Sequence, residues 1–296
     1  LTEMAHHAEL IPWLFLAKRL GVVLRYIPVT AAGRLDLEGF RELLGPRTQV
    51  VSVPLTSNVL GTINPVAEIA RIAHREDALV VVDAAQGVGH MPVSFAALGA
   101  DLLAFSAHKC YGPMGLGFLL GRPEVLEELD PLEGGGEMIR EVFLDRATLA
   151  RIPLRFEAGT PNVAATYAFP AAIALLEETG LAAVQAHEQY LVAYALDRLS
   201  WLKGLQVLGP PEATERGSVI SFYDPLVSPH DLAIVLDQRG IAVRSGRHCA
   251  HPLHRRFNLP ATVRASFGIY SNEHDVDALL WGLECARNVF APPAAK

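Results

Sequence analysis

The stretch that most limits what this chain can fold into is residues 79–86, Leu-Val-Val-Val-Asp-Ala-Ala-Gln, where four aliphatic side chains run without a break into Asp83. A strand with one wet face alternates apolar and polar residues. A run without alternation asks to be covered on both faces, the condition of a central strand in a parallel sheet. A second such run, 102–105, delivers Ser106, His108 and Lys109 into a turn marked by Gly112 and Pro113. Strand signals also stand at 22–27 and 50–55, with an amphipathic helix around 37–44 between them. Asn64-Pro65 reads as a cap followed by a first-turn proline, opening a helix with Val66, Ile69, Ala70 and Ala73 on one stripe. Strand, helix, strand predicts parallel α/β architecture, and open sheets of that kind gather their chemistry at the carboxyl ends of the strands. Asp83 and Lys109 are therefore expected to face one crevice.

With 296 residues, 51% of them hydrophobic, the chain can bury two cores. Its 25 basic and 32 acidic residues give a net charge of −7, with no basic stripe, which argues against nucleic acid as a partner. No apolar stretch is expected to span a membrane: 10–23 is broken by Lys18 and Arg19, and 163–176 carries Thr166 and Pro170. Three widely spaced cysteines, at 110, 249 and 285, make neither a disulfide framework nor a CxxC metal site, so a reducing, cytoplasmic setting and no bound metal are expected.

Further along, residues 3–19 read as a helix with Pro12 near its first turns, preceded by Ala5-His6-His7-Ala8. Adjacent histidines serve as surface or capping residues as readily as site residues. Thr56-Ser57-Asn58 after a strand is either a simple turn or a site element. Glu133-Gly-Gly-Gly136 lacks the lysine and the strand-to-helix setting of a phosphate loop and reads as a flexible active-site loop. From about residue 166 the pattern changes to Ala- and Leu-rich helices, 164–179 ending at Gly180 and 183–200. A smaller α/β unit follows, with strands at 218–222, 241–244 and 263–267. Ser228-Pro229-His230-Asp231 caps a helix ending at Gly240, and Val276, Leu279, Leu280 and Leu283 mark the closing helix. The expected division is a large domain, 1–165, and a small one, 166–296, with the terminal Ala-Pro-Pro-Ala-Ala-Lys frayed.

Two places carry chemistry. A lysine at a buried strand end is costly unless its amine is consumed in a bond, and a Schiff base to an aldehyde cofactor consumes it; a surface lysine that merely follows a strand is the other reading of Lys109. Arg244-Ser-Gly246-Arg247-His248-Cys249-Ala250-His251-Pro252 sets a thiol among arginines and histidines, which lower a thiol pKa, beside a glycine that lets the loop move. Cys249 thus reads as reactive rather than packed.

Together, Asp83-Ala-Ala-Gln86, Ser106-Ala-His-Lys109 and the Arg-x-Gly-x-x-Cys-Ala pattern of 244–250 resemble the fold-type I pyridoxal-phosphate enzymes of aminotransferase class V, and among them the SufS-type, group II cysteine desulfurases. The resemblance implies a mostly parallel central sheet flanked by helices, a smaller C-terminal α/β domain, pyridoxal 5′-phosphate as cofactor and a homodimer. That cofactor needs a lysine for its aldehyde and an acid that keeps its ring nitrogen protonated, roles carried over to Lys109 and Asp83. Gln86 would tune the ring and His6 would stack on it. Ser106 and His108 would hold the phosphate, joined by Thr160 of the neighbouring subunit from the segment 155–162. Asn58 would reach cofactor and substrate, and Arg264, with Arg244, would take the substrate carboxylate, to which a guanidinium fork is suited; a structural salt bridge is the alternative for Arg264. Cys249 would be the nucleophile, with Cys285 in the core and Cys110 packed. The pattern departs from the family at Ala5, where an acid is usual, and at Glu9, where asparagine is usual. The family's Gly-Thr-rich N-terminal turn has no counterpart, so a fragment with weakened hold on the cofactor is expected.

The activity the resemblance implies is conversion of L-cysteine to L-alanine with a persulfide on Cys249, the sulfur passing to a SufU- or SufE-type acceptor for iron–sulfur cluster assembly. His230, in its Pro-His-Asp context, would meet a zinc-containing acceptor; an ordinary exposed histidine is the alternative. A selenocysteine lyase, a sulfinate desulfinase or another class V enzyme would share Lys109 and Asp83. A non-catalytic fragment and a passive sulfur carrier are the readings from other classes.

Overall fold

The structure, a computed structural model, describes residues 1–290; the terminal segment expected to fray, 291–296, lies outside them. Helices α1 (His7–Leu20) and α2 (Leu37–Leu43) lead into β1 (Val50–Pro54), α3 (Val66–Ala73), β2 (Leu79–Asp83), α4 (Phe95–Leu98), β3 (Leu102–Ser106) and β4 (Gly117–Gly121). The four strands lie side by side in that order, the first three parallel and β4 antiparallel to β3. Register sets Val51 beside Val80, Val53 beside Val82 and Val82 beside Leu103, all buried in one core with Val66, Ile69, Ala70 and Ala73 of α3. Side chains alternate along a strand, so Ser52, Val81 and Asp83 share the opposite face. That face is less covered than the apolar run suggested: Ser52 is buried, Val81 and Asp83 are half-buried, and Ala104 of β3 is exposed.

After α5 (Pro123–Glu128), an exposed hairpin of β5 (Ile139–Val142) and β6 (Ala147–Leu149) precedes two long helices, α6 (Val163–Thr179) and α7 (Leu181–Ser200), bent at Gly180. A second sheet follows from β7 (Gln206–Leu208), β8 (Val219–Tyr223), α8 (Pro229–Asp237), β9 (Arg244–Gly246), α9 (His251–Arg256), β10 (Thr262–Ser266) and α10 (Glu273–Phe290). Its order is β7-β8-β10-β9, antiparallel throughout, and Ile220, Phe222, Val263 and Ala265 pack against α7, α8 and α10. A third cluster, Ala107 and Cys110 with Phe169, Leu176 and Val184, seats α6 and α7 on the turn that follows β3.

Several expectations are corrected. The first helix starts at His7 rather than residue 3, because residues 1–5 take a bridge and a turn: Thr2 pairs with Ile27. That bridge is the one ladder contact of 22–27, which forms no strand; its Val22 and Val23 face solvent. Asn64 does not cap α3 but donates from Nδ2 to the Pro54 carbonyl at 2.8 Å. Ile241 folds back, its N–H bonding the Leu236 carbonyl at 3.0 Å, so α8 stops at Asp237 and β9 begins only at Arg244. Cys285 is half-buried rather than core. Among the described residues no single helix is long and apolar enough to cross a membrane; the pair α6 and α7 is so only together, and it bends by 75°.

Candidate active site

β2 ends at Asp83, whose Oδ1 accepts from the Ala85 N–H at 2.9 Å, leaving Oδ2 without a partner among the described hydrogen bonds. β3 ends at Ser106, and one tight turn, Ala107–Lys109, carries the lysine out of the sheet. That turn is held from beneath by Phe169 and from the side by Gly89, where a Cβ would meet the Lys109 carbonyl oxygen and the Cys110 Cα, both at 2.8 Å. Lys109 and Ser106 are half-buried and His108 is exposed.

His6 caps α1: its Nδ1 accepts from the Ala8 N–H at 3.0 Å, which puts the ring proton on Nε2. Burial and then the charge of Lys109 hold the imidazole below its ordinary pKa, with Asp83 opposing, so at neutral pH the ring is uncharged. Its surroundings bring His6, Lys109, Asp83 and Arg244 into one neighbourhood. The start of α1 also grips the cysteine loop. The His7 N–H bonds the Cys249 carbonyl at 2.7 Å, the His251 N–H bonds His7 Nε2 at 3.1 Å, and the two rings meet edge to face at 4.6 Å.

In that loop His248 and Cys249 both have left-handed backbones, φ 48° and 55°. Two consecutive non-glycine residues there are costly and persist only when their surroundings enforce them. Asn58 does so, donating from Nδ2 to the His248 carbonyl at 2.7 Å, while the Asn58 carbonyl accepts from Arg264 Nη1 at 2.9 Å. Arg247 Nε donates to the Pro260 carbonyl at 2.9 Å. A loop expected to move is thus pinned at several points. The adjoining histidines have determined tautomers. His254 Nδ1–H donates to the Ala250 carbonyl at 3.0 Å, so its Nε2 accepts the Thr262 hydroxyl proton at 3.1 Å. The Thr262 oxygen then accepts from His248 Nε2–H at 3.0 Å, leaving His248 Nδ1 an unprotonated, buried acceptor without a partner. Burial, then Arg264, pushes His248 down to about 3, so the ring stays neutral.

Arg244 and Arg264 stand opposite each other on β9 and β10. Arg264 has one nitrogen tied to Asn58, and its Nε is buried without a partner, a guanidinium edge that lacks an anion. Burial, then Arg244, lowers its pKa, and the charge of Cys249 raises it, which sets the exposed cysteine beside this pair.

The donor set suits pyridoxal phosphate: an amine for the aldehyde, a carboxylate with one oxygen open for the ring nitrogen, a neutral imidazole, and a hydroxyl and an imidazole beside the lysine turn for the phosphate. The remaining predicted residues are not gathered in. Thr160 is exposed in a loop where Gly159 N–H bonds the Gly136 carbonyl at 2.9 Å. His230 is exposed in the first turn of α8, which Ser228 caps as expected. Gln86 lines a small cavity with Thr56, His90, Glu188 and Arg216. Sequence reasoning missed His7, His251, Thr262 and His254, whose roles depend on contacts across the fold.

The aminotransferase class-V family profile matches residues 1–279. The chain is similar to a probable cysteine desulfurase of Streptomyces coelicolor, 49% identical over 290 residues, 98% of this chain and 69% of that protein. It is likewise similar to a cysteine desulfurase of Haloferax volcanii, 44% identical over 291 residues, 98% of this chain and 68% of that one. Among solved structures, the apo cysteine desulfurase from Thermococcus onnurineus NA1 superposes with a TM-score of 0.93 at 39% identity, covering 97% of this chain and 72% of that one.

Proposed function

This chain belongs to the aminotransferase class-V family, and on that footing we propose that it is a pyridoxal-phosphate-dependent cysteine desulfurase that takes L-cysteine to L-alanine through a persulfide on Cys249. When bound, the cofactor would supply an aldehyde carbon for the substrate amine and a ring able to accept the electrons of the Cα–H bond. Lys109 would hold the cofactor through its amine, and with that amine free its Nζ would be the base that removes the Cα proton. Asp83 would hold a proton at the ring nitrogen through its open oxygen, and His6 would cover the ring. Arg264 offers its unpaired edge to the substrate carboxylate, with Arg244 and Asn58 beside it. Ser106 and His108 would hold the phosphate. The Cys249 thiolate attacks the substrate sulfur: an S–S bond forms, the C–S bond breaks, and its electron pair stays with the three-carbon remainder, which is protonated and released as alanine.

The observation that carries this reading is the meeting of two arrangements, Lys109, Asp83 and His6 on one side and, across Arg244, the strained Cys249 turn held by Asn58 and Arg264. Its test is alanine and sulfide production from L-cysteine, with and without a thiol acceptor. Lys109→Ala is expected to lose the visible absorbance of the lysine-bound cofactor and all alanine formation. Cys249→Ala is expected to keep the absorbance and lose sulfur transfer. Full desulfurase activity in Cys249→Ala would remove the nucleophile. Faster turnover of selenocysteine would assign a selenocysteine lyase, and no cofactor absorbance a non-catalytic chain.

The finer proposals are a SufS-type enzyme serving iron–sulfur cluster assembly in the cytoplasm and a division into domains 1–165 and 166–296. A homodimer in which Thr160 reaches the neighbour's cofactor belongs with them, as does a zinc-bearing SufU-type acceptor that engages His230.

A further inference from the structure

The sheet face that bears Asp83 meets a second carboxyl group, on α1, for which the reaction outlined above has no use. Ser52 is in register with Val81, and Pro54 with Asp83, so Ser52 and Asp83 point the same way, one pleat apart on adjacent strands. The Ser52 hydroxyl donates to Glu9 Oε1 at 2.8 Å. Glu9 lies in the first turn of α1, three residues past His6 and so on the same side of the helix. Although Glu9 as a residue is half-buried, its Oε2 is shut off from solvent and has no partner among the described residues. Two side chains face this carboxyl, Asp83 from β2 and the Ser52 hydroxyl from β1. Burial first and Asp83 second push it up to about 7, and the Ser52 hydrogen bond opposes them. Two carboxylates this close cannot both ionise cheaply. The Ala85 N–H supports one oxygen of Asp83, whereas the far oxygen of Glu9 has no donor at all.

We propose that Glu9 is a positioning residue for the reaction, a buried carboxyl group biased towards its protonated form beside Asp83, so that while Glu9 holds its proton Asp83 carries the one negative charge on this face and spends it on the cofactor's ring nitrogen. The proposal rests on the role given to Asp83 above. Ionisation of Glu9 would set a second negative charge next to Asp83, make Asp83 the stronger base and draw the proton from the ring nitrogen to the carboxylate.

The test begins with the cofactor-free chain, labelled with carbon-13 at the glutamate carboxyls and followed by NMR across the pH range. One resonance is expected to titrate near 7, and Glu9→Gln is expected to remove it. Asp83→Asn is expected to lower that midpoint while burial still holds it above an ordinary carboxylate. No glutamate titrating so high, or one indifferent to Asp83→Asn, overturns the proposal. With nitrogen-15-labelled cofactor bound, the ring-nitrogen signal is expected to shift as Glu9 ionises in the wild type and to stay flat in Glu9→Gln. Equal behaviour of the two overturns the link to the ring. Coupling of the two carboxyls in a chain that never attaches the cofactor would support the pairing of Glu9 with Asp83 and overturn the functional reading of Asp83 instead.

Discussion

Burial pushes the Cys110 thiol up to about 11, and its neighbour Lys109 offsets this only in part, whereas Cys249 stands exposed beside two arginines. Since the thiolate is the reacting form, iodoacetamide at neutral pH is expected to alkylate Cys249 at least ~100-fold faster than Cys110, checked by peptide mass mapping over time. Comparable labelling of both in the folded chain would show that Cys110 is not sealed by Phe169 and Leu176. At this scale the sequence was informative where a residue's role is announced by its chain neighbours. Asp83 closes an apolar run, Lys109 follows one after a single tight turn, and Cys249 sits in a cationic loop. Glu9 was visible only as a departure from pattern, because its partners Ser52 and Asp83 lie on strands remote in sequence. The tautomers of His248 and His254 depend on Thr262, and nothing in the chain's local pattern ties a threonine to either ring.

Between elements, the firmest junction is Arg216, 1% exposed, which donates to the carbonyls of Leu60 at 3.1 Å, Leu208 at 2.7 Å and Pro210. Burial lowers the guanidinium to about 10, so it remains charged at neutral pH and costs free energy that three carbonyls must offset. Leu60 belongs to the turn that carries Asn58, so this side chain ties the second sheet to the site. Arg216→Ala is expected to destabilise by about 3–5 kcal/mol in urea unfolding and to raise the KM for L-cysteine; Arg216→Lys should lose less of both. Gly209, at φ 96°, leaves so little room that a Cβ would lie 2.1 Å from the Leu60 oxygen, and Gly209→Ala should destabilise the same junction. An unchanged unfolding midpoint in either alanine variant would mean that the junction is dispensable. Elements with long apolar runs or clear caps, β1 to β3, α3, α6, α7 and α10, could be read in advance. β5, β6 and β7 are three or four residues long, too short to show a period, and the apolar 22–27 became no strand because pairing needs a neighbour, which no local pattern supplies.

For the whole molecule, buried ionisable groups set how stability answers to pH. Glu9, raised from 4.5 to about 7, contributes stability that is complete below pH 4.5 and is lost as pH rises to about 7, an effect of about 3 kcal/mol if the shift is fully expressed. His248, lowered from 6.5 to about 3, acts in the other sense, present above pH 6.5 and lost as pH falls towards 3, and the lowered His6 and His254 follow it. Between pH 4.5 and 6.5 the slopes from Glu9 and His248 offset each other. Urea unfolding of the cofactor-free chain should therefore find Glu9→Gln equal to wild type near pH 4.5 and more stable by up to about 3 kcal/mol at pH 8. A difference that is constant with pH would mean that Glu9 ionises as an ordinary surface glutamate does. The turn at Cys249 has its own bearing on how the assembled molecule works. Its backbone is fastened to α1 through His7, to the Asn58 turn through His248 and to Pro260 through Arg247, so the sulfur cannot be carried anywhere by a swing of the main chain. What is left is rotation about the few torsions of an exposed side chain, a matter of picoseconds to nanoseconds. If Cys249 carries the sulfur as proposed, the export of cargo is governed by traffic: the waiting time is that of the next acceptor to arrive at the surface.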